Sequence, residues 1–381
     1  MSFFPSASRF EEMVAHREHL HRNPEVGIEL PDTHRYVRSA LEGLGLKVEG
    51  GPGVGLAAKI PGADPEARPI VFRADMDALP VDEDTGETFS SQRPGAMHAC
   101  GHDLHTAALL GIAADLLDQP ARRDVVVAFQ PGEESDRGAI KTLELDLLKI
   151  DNVDTFAIHV NAIVPVGSYL YSRDTFMAFG DWFRVSFSGD GGHASAPERV
   201  GSPIRAGAQF SEALVNHAKS LSRPDARVVA TTTEFLSGNT VNVIPAVGSL
   251  RGTIRTVTQE QRDKIIEAIR NEAERVAAQN RLHAEVTITE GYPAVVNHEL
   301  FVQDVLDRAA SGVVGEFGEM DHPSMVIEDY SYFLSRWPGA MLYVGAAVGD
   351  TPSFNHSATA RFSNEALRYS FQLFRLLAPP V

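Results

Sequence analysis

Apolar positions in the first half of the chain recur with two periods, which predict alternating helices and strands. Apolar residues three or four positions apart predict helices at residues 10–20, 32–44 and 103–117. Short apolar runs bounded by Gly and Pro predict strands at residues 54–60, 69–74, 124–130 and 155–160. The run DVVVAFQ is continuous, as in a parallel strand that is covered on both faces. This alternation predicts an α/β fold.

From about residue 180 the pattern changes to a regular alternation of polar and apolar positions, which is typical of half-exposed antiparallel strands. Two long helices, at about residues 203–221 and 259–279, separate these strands. After residue 292 the alternation of helices and strands resumes, with a helix near 298–310, a strand at 340–345 and a closing helix at 364–377. We therefore expect a catalytic domain made of residues 1–179 and 292–381, with an α+β domain inserted at 180–291.

Two details of the N-terminal region complete the predicted framework. Asp32 is expected to be the N-cap of the second helix. His16, His19 and His21 are expected to lie on a solvated face of the first helix, and none of the three is expected to bind a metal.

Length and charge narrow the classes of protein to which the chain can belong. Its 381 residues exceed the size at which one hydrophobic core keeps growing, in agreement with two domains. The formal net charge of -17, without a basic patch, argues against nucleic acid or an anionic membrane as a partner. No apolar stretch approaches the roughly 20 residues of a membrane-spanning helix, and the beginning lacks a signal-peptide pattern. A cytoplasmic protein is expected.

Charged and metal-binding side chains follow the ends of the predicted strands. Asp75 and Asp77 follow one strand, Glu133 and Glu134 follow another, and His159 lies at the end of a third. In open α/β sheets the ligand crevice lies outside the carboxyl ends of the strands, so these groups indicate one pocket.

The stretch MHACGHDLHT adds the only cysteine of the chain, which cannot form an intrachain disulfide and stays reduced in the cytoplasm. The candidate metal ligands are Cys100, His102, His159, His356 and one of Glu133 and Glu134. Five ligands exceed the need of one tetrahedral ion and suit two ions that share the thiolate. Such a pair lowers the pKa of bound water and polarises a carbonyl.

The adjacent pair of Glu133 and Glu134 suits a division of labour. Successive side chains of extended backbone point to opposite sides, so one carboxylate can bind metal while the other acts as general base and then as general acid. The alternative is two solvated loop carboxylates. Asp77 is favoured as a carboxylate that orients a ligating histidine. Asp75 is left open between that role and the capping of a turn.

Several strings together resemble a known family of enzymes. They are, in order, FRADMDALP, MHACGHDLHTA, AFQPGEES, GGHASAP, TVNVIP, GTIRT and IEDYSYFL. They resemble the aminoacylase and hippurate hydrolase family of binuclear metallo-amidohydrolases, with auxin-conjugate hydrolases, N-acetyl-diaminopimelate deacetylases and, distantly, glutamate carboxypeptidases as relatives. The resemblance covers nearly the whole chain. It implies a mixed-sheet, zinc-exopeptidase-like catalytic domain with an inserted lid that also forms a homodimer.

The resemblance assigns the candidate ligands to two ions. It implies that Cys100 bridges the pair, with His102 and His159 completing one site. The same resemblance gives Glu134 and His356 to the other site, with Glu133 as the base that activates the attacking water.

The resemblance also assigns residues of the lid. It implies that His193 donates a hydrogen bond to the substrate carbonyl, often across the dimer, and that Asn242 and Arg255 contact the substrate carboxylate. The residues alone favour a plain Gly-rich turn for His193 and leave Arg255 equally open to pairing on a strand surface.

Hydrolysis of the amide bond of N-acyl amino acids, with two divalent Zn, Mn or Co ions per subunit, is the function that these features predict. A dipeptidase and an N-carbamoyl amidohydrolase remain alternatives on the same site. A binding protein without catalysis is a third, against which the complete set of ligands argues. The loops HVNAIVPVG and FNHSATARF depart from the usual family pattern and leave the acyl group open.

Overall fold

The computed structural model describes residues 3–312 and 315–381, and these residues form two units. The first unit comprises Met1–Asp174, Val296–Met320 and Glu328–Val381. The second comprises Thr175–Val295 and Asp321–Ile327. The second unit thus includes residues 175–179, 292–295 and 321–327, which lie outside the stretch 180–291 proposed from the sequence.

Every helix and strand predicted from the periodicity forms, with ends that shift by three residues or fewer. The helices are α1 (Ala7–Arg22), α2 (Pro31–Gly43), α3 (His102–Asp118), α4 (Gly138–Thr142), α5 (Pro203–Leu221), α6 (Gln259–Gln279), α7 (Glu299–Ala309), α8 (Ser331–Arg336) and α9 (Ala366–Leu377). The strands are β1 (Val48–Gly51), β2 (Gly55–Ile60), β3 (Ile70–Asp75), β4 (Val125–Gln130), β5 (Asp154–Asn161), β6 (Ser168–Tyr171), β7 (Thr175–Met177), β8 (Phe179–Ser188), β9 (Gly192–His193), β10 (Val229–Ser237), β11 (Val243–Ile244), β12 (Val247–Thr256), β13 (His283–Tyr292), β14 (Val295–Val296), β15 (Glu316–Glu319) and β16 (Gly339–Gly345).

A mixed sheet forms the centre of the first unit, with the strand order β1-β2-β4-β3-β5-β16-β6-β15. Within this order, β4, β3, β5 and β16 are parallel to one another. The pairs β1–β2, β2–β4 and β16–β6 are antiparallel. Every residue of β3, β4 and β16 is buried. This burial explains their continuous apolar runs, because helices cover both faces of such a sheet. The prediction of an α/β fold with a mixed sheet is confirmed.

Helix α3 is buried along almost its whole length, from His102 to Leu116. Small residues allow this position, since a Cβ added at Gly111 would lie 2.3 Å from the sulfur of Met13 on α1. The close approach of α1 and α3 brings charged residues of both helices into the interior.

The second unit contains a four-stranded antiparallel sheet in the order β10-β12-β8-β13. Helices α5 and α6 cover one face of this sheet. The core between them includes Phe183, Phe187, Phe210, Ile265 and Ile269. A single covered face explains the polar and apolar alternation of these strands.

Two expectations for the N-terminal helices are wrong. Asp32 does not cap α2, because Pro31 occupies its first turn and Leu30 is the N-cap. The buried carboxylate of Glu25 instead accepts hydrogen bonds from the backbone N–H groups of Asp32 and Thr33, at 3.0 and 2.7 Å. A carboxylate at this end of a helix satisfies free N–H groups and interacts favourably with the helix dipole.

His21 is buried rather than solvated. Its Nδ1 lies 2.9 Å from the carboxylate of Asp103 on α3, and its Nε2 lies 3.3 Å from that of Glu83. Arg17, one helical turn earlier, shares the Asp103 carboxylate. The approach of α3 places this turn of α1 in the interior. The polar residues of the turn had instead suggested an exposed position.

His21 is predicted to make stability depend on pH. Burial by itself lowers its pKa, but the carboxylates of Asp103 and Glu83 outweigh burial and the positive Arg17, and the pKa rises to about 9. The neighbouring His98 stays neutral, because burial lowers its pKa to about 3. Since the ordinary pKa of histidine is 6.5, protonated His21 stabilises the fold fully below pH 6.5. That contribution, about 3 kcal/mol, is lost as the pH rises through 9.

Urea unfolding between pH 6 and 10 measures this effect. The variant His21→Gln should have a free energy of unfolding that falls less over this range than that of the wild type. His283→Gln, at an exposed position of the second unit, should keep the wild-type slope. If the free energy of unfolding of His21→Gln fell with pH as steeply as that of the wild type, the result would contradict the buried ion pairs.

No helix in the described residues combines the length and apolar character that crossing a membrane requires.

Candidate metal centre

Three parallel strands bring the candidate residues to one edge of the sheet. Strands β3, β4 and β5 are aligned in parallel register, so their carboxyl ends lie together. Asp75 is the last residue of β3, Gln130 is the last residue of β4, and His159 lies near the end of β5. This is the position expected for a ligand crevice in an α/β sheet.

Gly101 lets the cysteine turn approach β5. Its φ of +87° is in the left-handed region, and a Cβ at this position would lie 2.3 Å from a methyl group of Val160. A larger residue would therefore push Cys100 and His102 away from the end of β5.

The other four predicted metal ligands lie around the sulfur of Cys100. This sulfur lies 3.4 Å from Nε2 of His159 and 3.3 Å from Nε2 of His356. Glu134 Oε1 lies 3.3 Å from Nε2 of His356 and 3.9 Å from Nε2 of His102. Cys100 thus belongs to two groups whose ligand atoms all lie within 4.8 Å, one with His102 and His159 and the other with Glu134 and His356. This arrangement suits two ions that share a thiolate.

Backbone carbonyl groups orient two of the imidazoles. Nδ1 of His102 lies 2.9 Å from the carbonyl oxygen of Asp77, and Nδ1 of His159 lies 2.8 Å from that of Val160. Each Nδ1–H donates to its carbonyl, which leaves the lone pair of Nε2 directed toward Cys100. Within residues 3–312 and 315–381, Nε2 of His102 is buried without a hydrogen-bond partner. Such an orphaned nitrogen near a thiol and a carboxylate fits a metal ion.

The charges at this position also favour a cation. Burial and the charge of Glu134 raise the pKa of the Cys100 thiol. Hydrogen bonds to Cys100 and Glu134 raise the pKa of His356 to about 10. Burial acts against the charged form of His102, but Asp75 and Cys100 outweigh it and hold its pKa well above the ordinary value. A metal ion in this position would neutralise the negative charge of Glu134 and Cys100, which otherwise favours protonation of these imidazoles.

Asp77 supports the site with two different groups. Its backbone carbonyl orients His102, whereas its carboxylate lies farther away, 3.6 Å from Nδ1 of that ring. The carboxylate instead accepts hydrogen bonds from the backbone N–H groups of Glu133 and Glu134, both at 3.1 Å. Asp77 therefore fixes the backbone of the loop that carries both glutamates.

Asp75 orients a histidine that lies outside the predicted ligand set. One of its oxygens lies 2.6 Å from Nδ1 of His105, and Nε2 of His105 accepts a hydrogen bond from the backbone N–H of Val160 at 2.8 Å. Both ring nitrogens of His105 are thus engaged within the protein. Asp75 and His105 connect the end of β3 to the segment of β5 that carries His159.

Glu133 lies between two groups of charged side chains. Its carboxylate approaches His102 and Glu134 on one side and Glu328 and Asp329 on the other, with ligand atoms within 4.8 Å in each group. Burial and the neighbouring charge of Glu328 raise the pKa of Glu133 well above the ordinary value for a glutamate. A raised pKa makes a carboxylate a stronger proton acceptor, which suits a general base.

Asn355 was missed by the sequence analysis. Its side-chain amide donates to the carbonyl groups of Cys100 and Val160, at 3.3 and 3.1 Å, and its oxygen accepts from the N–H of Ala162 at 2.9 Å. Asn355 thereby holds His356 beside the other ligands, and the backbone of His356 adopts a φ of +70°. The signal in the sequence was the position of this amide directly before a candidate ligand.

The remaining predicted residues lie in the second unit, where His193 and Asn242 are close to each other and Arg255 lies near the other end of β12. His193 on β9 pairs with Val243 on β11, and the backbone carbonyl of Asn242 accepts from the N–H of Ala194 at 3.0 Å. Arg255 lies on β12, where its guanidinium donates to the carbonyl of Ile254 at 3.0 Å. Their roles toward a substrate stay predictions.

Comparison with known proteins identifies the family. Residues 71–378 match peptidase family M20/M25/M40. The chain belongs to this family. An N-acetyldiaminopimelate deacetylase of Oenococcus oeni is 31% identical over 360 residues, which cover 91% of this chain and 92% of that protein. An N-acetyl-L-cysteine deacetylase of Bacillus subtilis is 32% identical over 342 residues, covering 88% of this chain and 80% of the relative.

A solved structure of an M20 protein shares the fold. The Bacillus subtilis YXEP protein, described as a dinuclear metal-binding peptidase of the M20 family, superposes with a TM-score of 0.85. The two sequences are 29% identical, and the alignment covers 98% of each chain. The resemblance to a binuclear metallo-amidohydrolase family is confirmed. The protein is accordingly an M20 hydrolase of amide bonds, and its candidate ligands fit two divalent metal ions.

Replacement of the shared sulfur should remove metal from this M20 protein. After reconstitution with zinc and removal of excess, the wild type should retain about two ions per chain. Cys100→Ala should retain fewer than about one, because the thiolate is the ligand that both groups share. His283→Gln, at an exposed position, is the matched control and should retain the wild-type content. Elemental analysis measures all three, and two ions in Cys100→Ala would contradict the shared ligand.

Proposed function

We propose that this chain hydrolyses the amide bond of N-acyl amino acids and releases a carboxylic acid and an amine. The observation that supports this most is the convergence of Cys100, with its two groups of metal ligands, and the buried carboxyl group of Glu133 at one edge of the sheet. Relatives at 31–32% identity that are named as deacetylases of N-acetylated amino acids support the same substrate class.

Glu133 is the proposed proton carrier. Its raised pKa lets it take a proton from the attacking water and deliver it to the leaving nitrogen. Cys100, His102, His159, Glu134 and His356 hold the two ions, for which Zn, Mn and Co are candidates. When bound, these ions lower the pKa of water and polarise the amide carbonyl. Asp77 keeps Glu133 and Glu134 in place through their backbone N–H groups.

His193 is the proposed donor to the oxyanion of the tetrahedral intermediate. Its Nδ1 accepts a hydrogen bond from the backbone N–H of Ser195 at 3.2 Å. The ring proton of a neutral His193 must therefore reside on Nε2, which makes this atom a donor. His193 is exposed in the second unit, so it is accessible to a ligand.

Arg255 is the proposed contact of the substrate carboxylate, together with Asn242. Its guanidinium is half-buried, and the nearby carboxylate of Asp181 forms its ion pair with Arg262 instead, at 2.7 Å. A planar guanidinium of this kind suits bidentate binding of a carboxylate. Asn242 lies on the same ribbon as His193 and is exposed.

The second unit is also the proposed dimer contact. Strand β10 lies at the edge of its sheet. Leu236 is 63% exposed and Val241 is fully exposed, in and just beyond that strand. Unpaired edges with apolar side chains favour pairing with a second chain. We further propose a cytoplasmic location, because Cys100 must stay reduced to bind metal.

Substitution of the proposed base should separate catalysis from metal binding. Glu133→Gln should keep the wild-type metal content and lower kcat by about 100- to 10,000-fold, because the amide cannot accept a proton. Glu144→Gln, an exposed glutamate of the same unit, should keep the wild-type kcat. Initial rates with an N-acyl amino acid measure the effect, and near-normal turnover by Glu133→Gln would refute its role.

A substrate panel tests the reaction class. The panel contains N-acetyl and N-benzoyl amino acids, dipeptides and N-carbamoyl amino acids, each assayed with Zn, Mn and Co by release of amine. We expect kcat/KM for an N-acyl amino acid to exceed that for the other classes by about tenfold or more, which corresponds to about 1.4 kcal/mol. A preference for dipeptides or N-carbamoyl compounds would replace the proposal with that activity. Less than about one metal ion per chain would instead favour a binding protein.

A further inference from the structure

Asp329 accepts hydrogen bonds from two residues that lie on either side of the two glutamates, one through its side chain and one through its backbone. Its carboxylate is fully buried. Gln130 donates to both of its oxygens, at 2.7 and 2.9 Å. The backbone N–H of Ala139 donates to Oδ2 at 2.9 Å, and Arg73 donates to Oδ1 at 3.0 Å. Four hydrogen bonds thus converge on one side chain.

Gln130 and Ala139 are the two ends of the loop that carries Glu133 and Glu134. Gln130 is the last residue of β4, and Ala139 lies in the first turn of α4. Asp329 therefore holds both ends of the loop against one carboxylate. Asp77 holds its middle through the N–H groups of the two glutamates.

Arg73 makes this arrangement rigid. Its Nε donates to the side-chain oxygen of Gln130 at 2.9 Å, and its Nη2 donates to Asp329. Arg73, Gln130 and Asp329 thus form a closed triangle of hydrogen bonds, and each of the three is 1% exposed or less. A fully satisfied buried network of this kind fixes one conformation.

We propose that Asp329 is a positioning residue, which sets the separation of the two loop ends and thereby the placement of Glu133 and Glu134. This inference rests on the proposed function, in which Glu133 carries the proton and Glu134 binds a metal ion. A displacement of about 1 Å in a reacting group lowers rates by about 100-fold. Loss of a residue that orients a ligand lowers metal affinity by about 10- to 100-fold.

The variant Asp329→Asn tests the inference. In one orientation of the new amide, its nitrogen faces the N–H of Ala139, which loses its acceptor. In the other orientation, the nitrogen faces Arg73 and Gln130, and the triangle of hydrogen bonds is broken. Hydrogen bonds that hold the loop are lost in both cases. We expect kcat to fall by about 100-fold with KM changed less than about threefold. In competition with a chelator, affinity for the second zinc ion, which Glu134 helps to bind, should fall by about tenfold or more.

Asp115→Asn is the matched control, because Asp115 forms an ion pair with Arg375 at 3.3 Å in the same unit, away from the loop. It should keep the wild-type kcat and zinc affinity. Gln130→Met, which releases the other end of the loop without a change of charge, should repeat the effects of Asp329→Asn. If Asp329→Asn does not fold, the kcat and zinc affinity of Gln130→Met test the positioning role instead.

Wild-type kcat and zinc affinity in Asp329→Asn and Gln130→Met would overturn the positioning role. Equal losses in Asp115→Asn would also overturn it, because they would reflect general destabilisation. If the wild type hydrolyses no member of the substrate panel, the proposed function fails. The zinc titration still decides the positioning of Glu134 in that case.

Discussion

The buried guanidinium of Arg73 stabilises the negative charge of the carboxylates behind the metal centre. It donates to Asp75 at 2.7 Å and to Glu328 and Asp329 at 3.0 Å each. The desolvation of each unpaired buried carboxylate would cost several kcal/mol. The carboxylates in turn hold Arg73 in its charged form, although burial opposes the charge. The rest of the site depends on this balance of charge in the interior.

Two chains of contacts lead from Arg73 to the metal ligands. One passes through Asp75 and His105 to the backbone of Val160, next to His159. The other passes through Asp329 to the loop that carries Glu134. Ligands from two different strands are thus placed relative to the same charge, which explains how residues distant in the sequence keep a common geometry.

Part of the candidate metal site could be proposed from the sequence because it follows a local rule. Apolar runs identify parallel strands, the carboxyl ends of parallel strands lie at one edge, and charged residues directly after those runs must meet there. Glu133, Glu134 and His159 satisfy this rule by position alone. His356 lies farther along, in the loop between β16 and α9, and Cys100 and His102 lie at the start of α3, so residue type and spacing indicated these three instead. The roles within this ligand set came from the family resemblance rather than from the strand pattern.

The sequence by itself determined the helices and strands, the α/β class and the residues with metal-binding chemistry, because periodicity and strand ends are local properties. Tertiary structure alone decided which polar residues are buried. His21 pairs with Asp103 across 82 positions of the chain, Asn355 reaches Cys100 across 255, and Asp329 reaches Gln130 across 199. Local patterns do not encode such pairs, because their energy arises only when packing removes both partners from water.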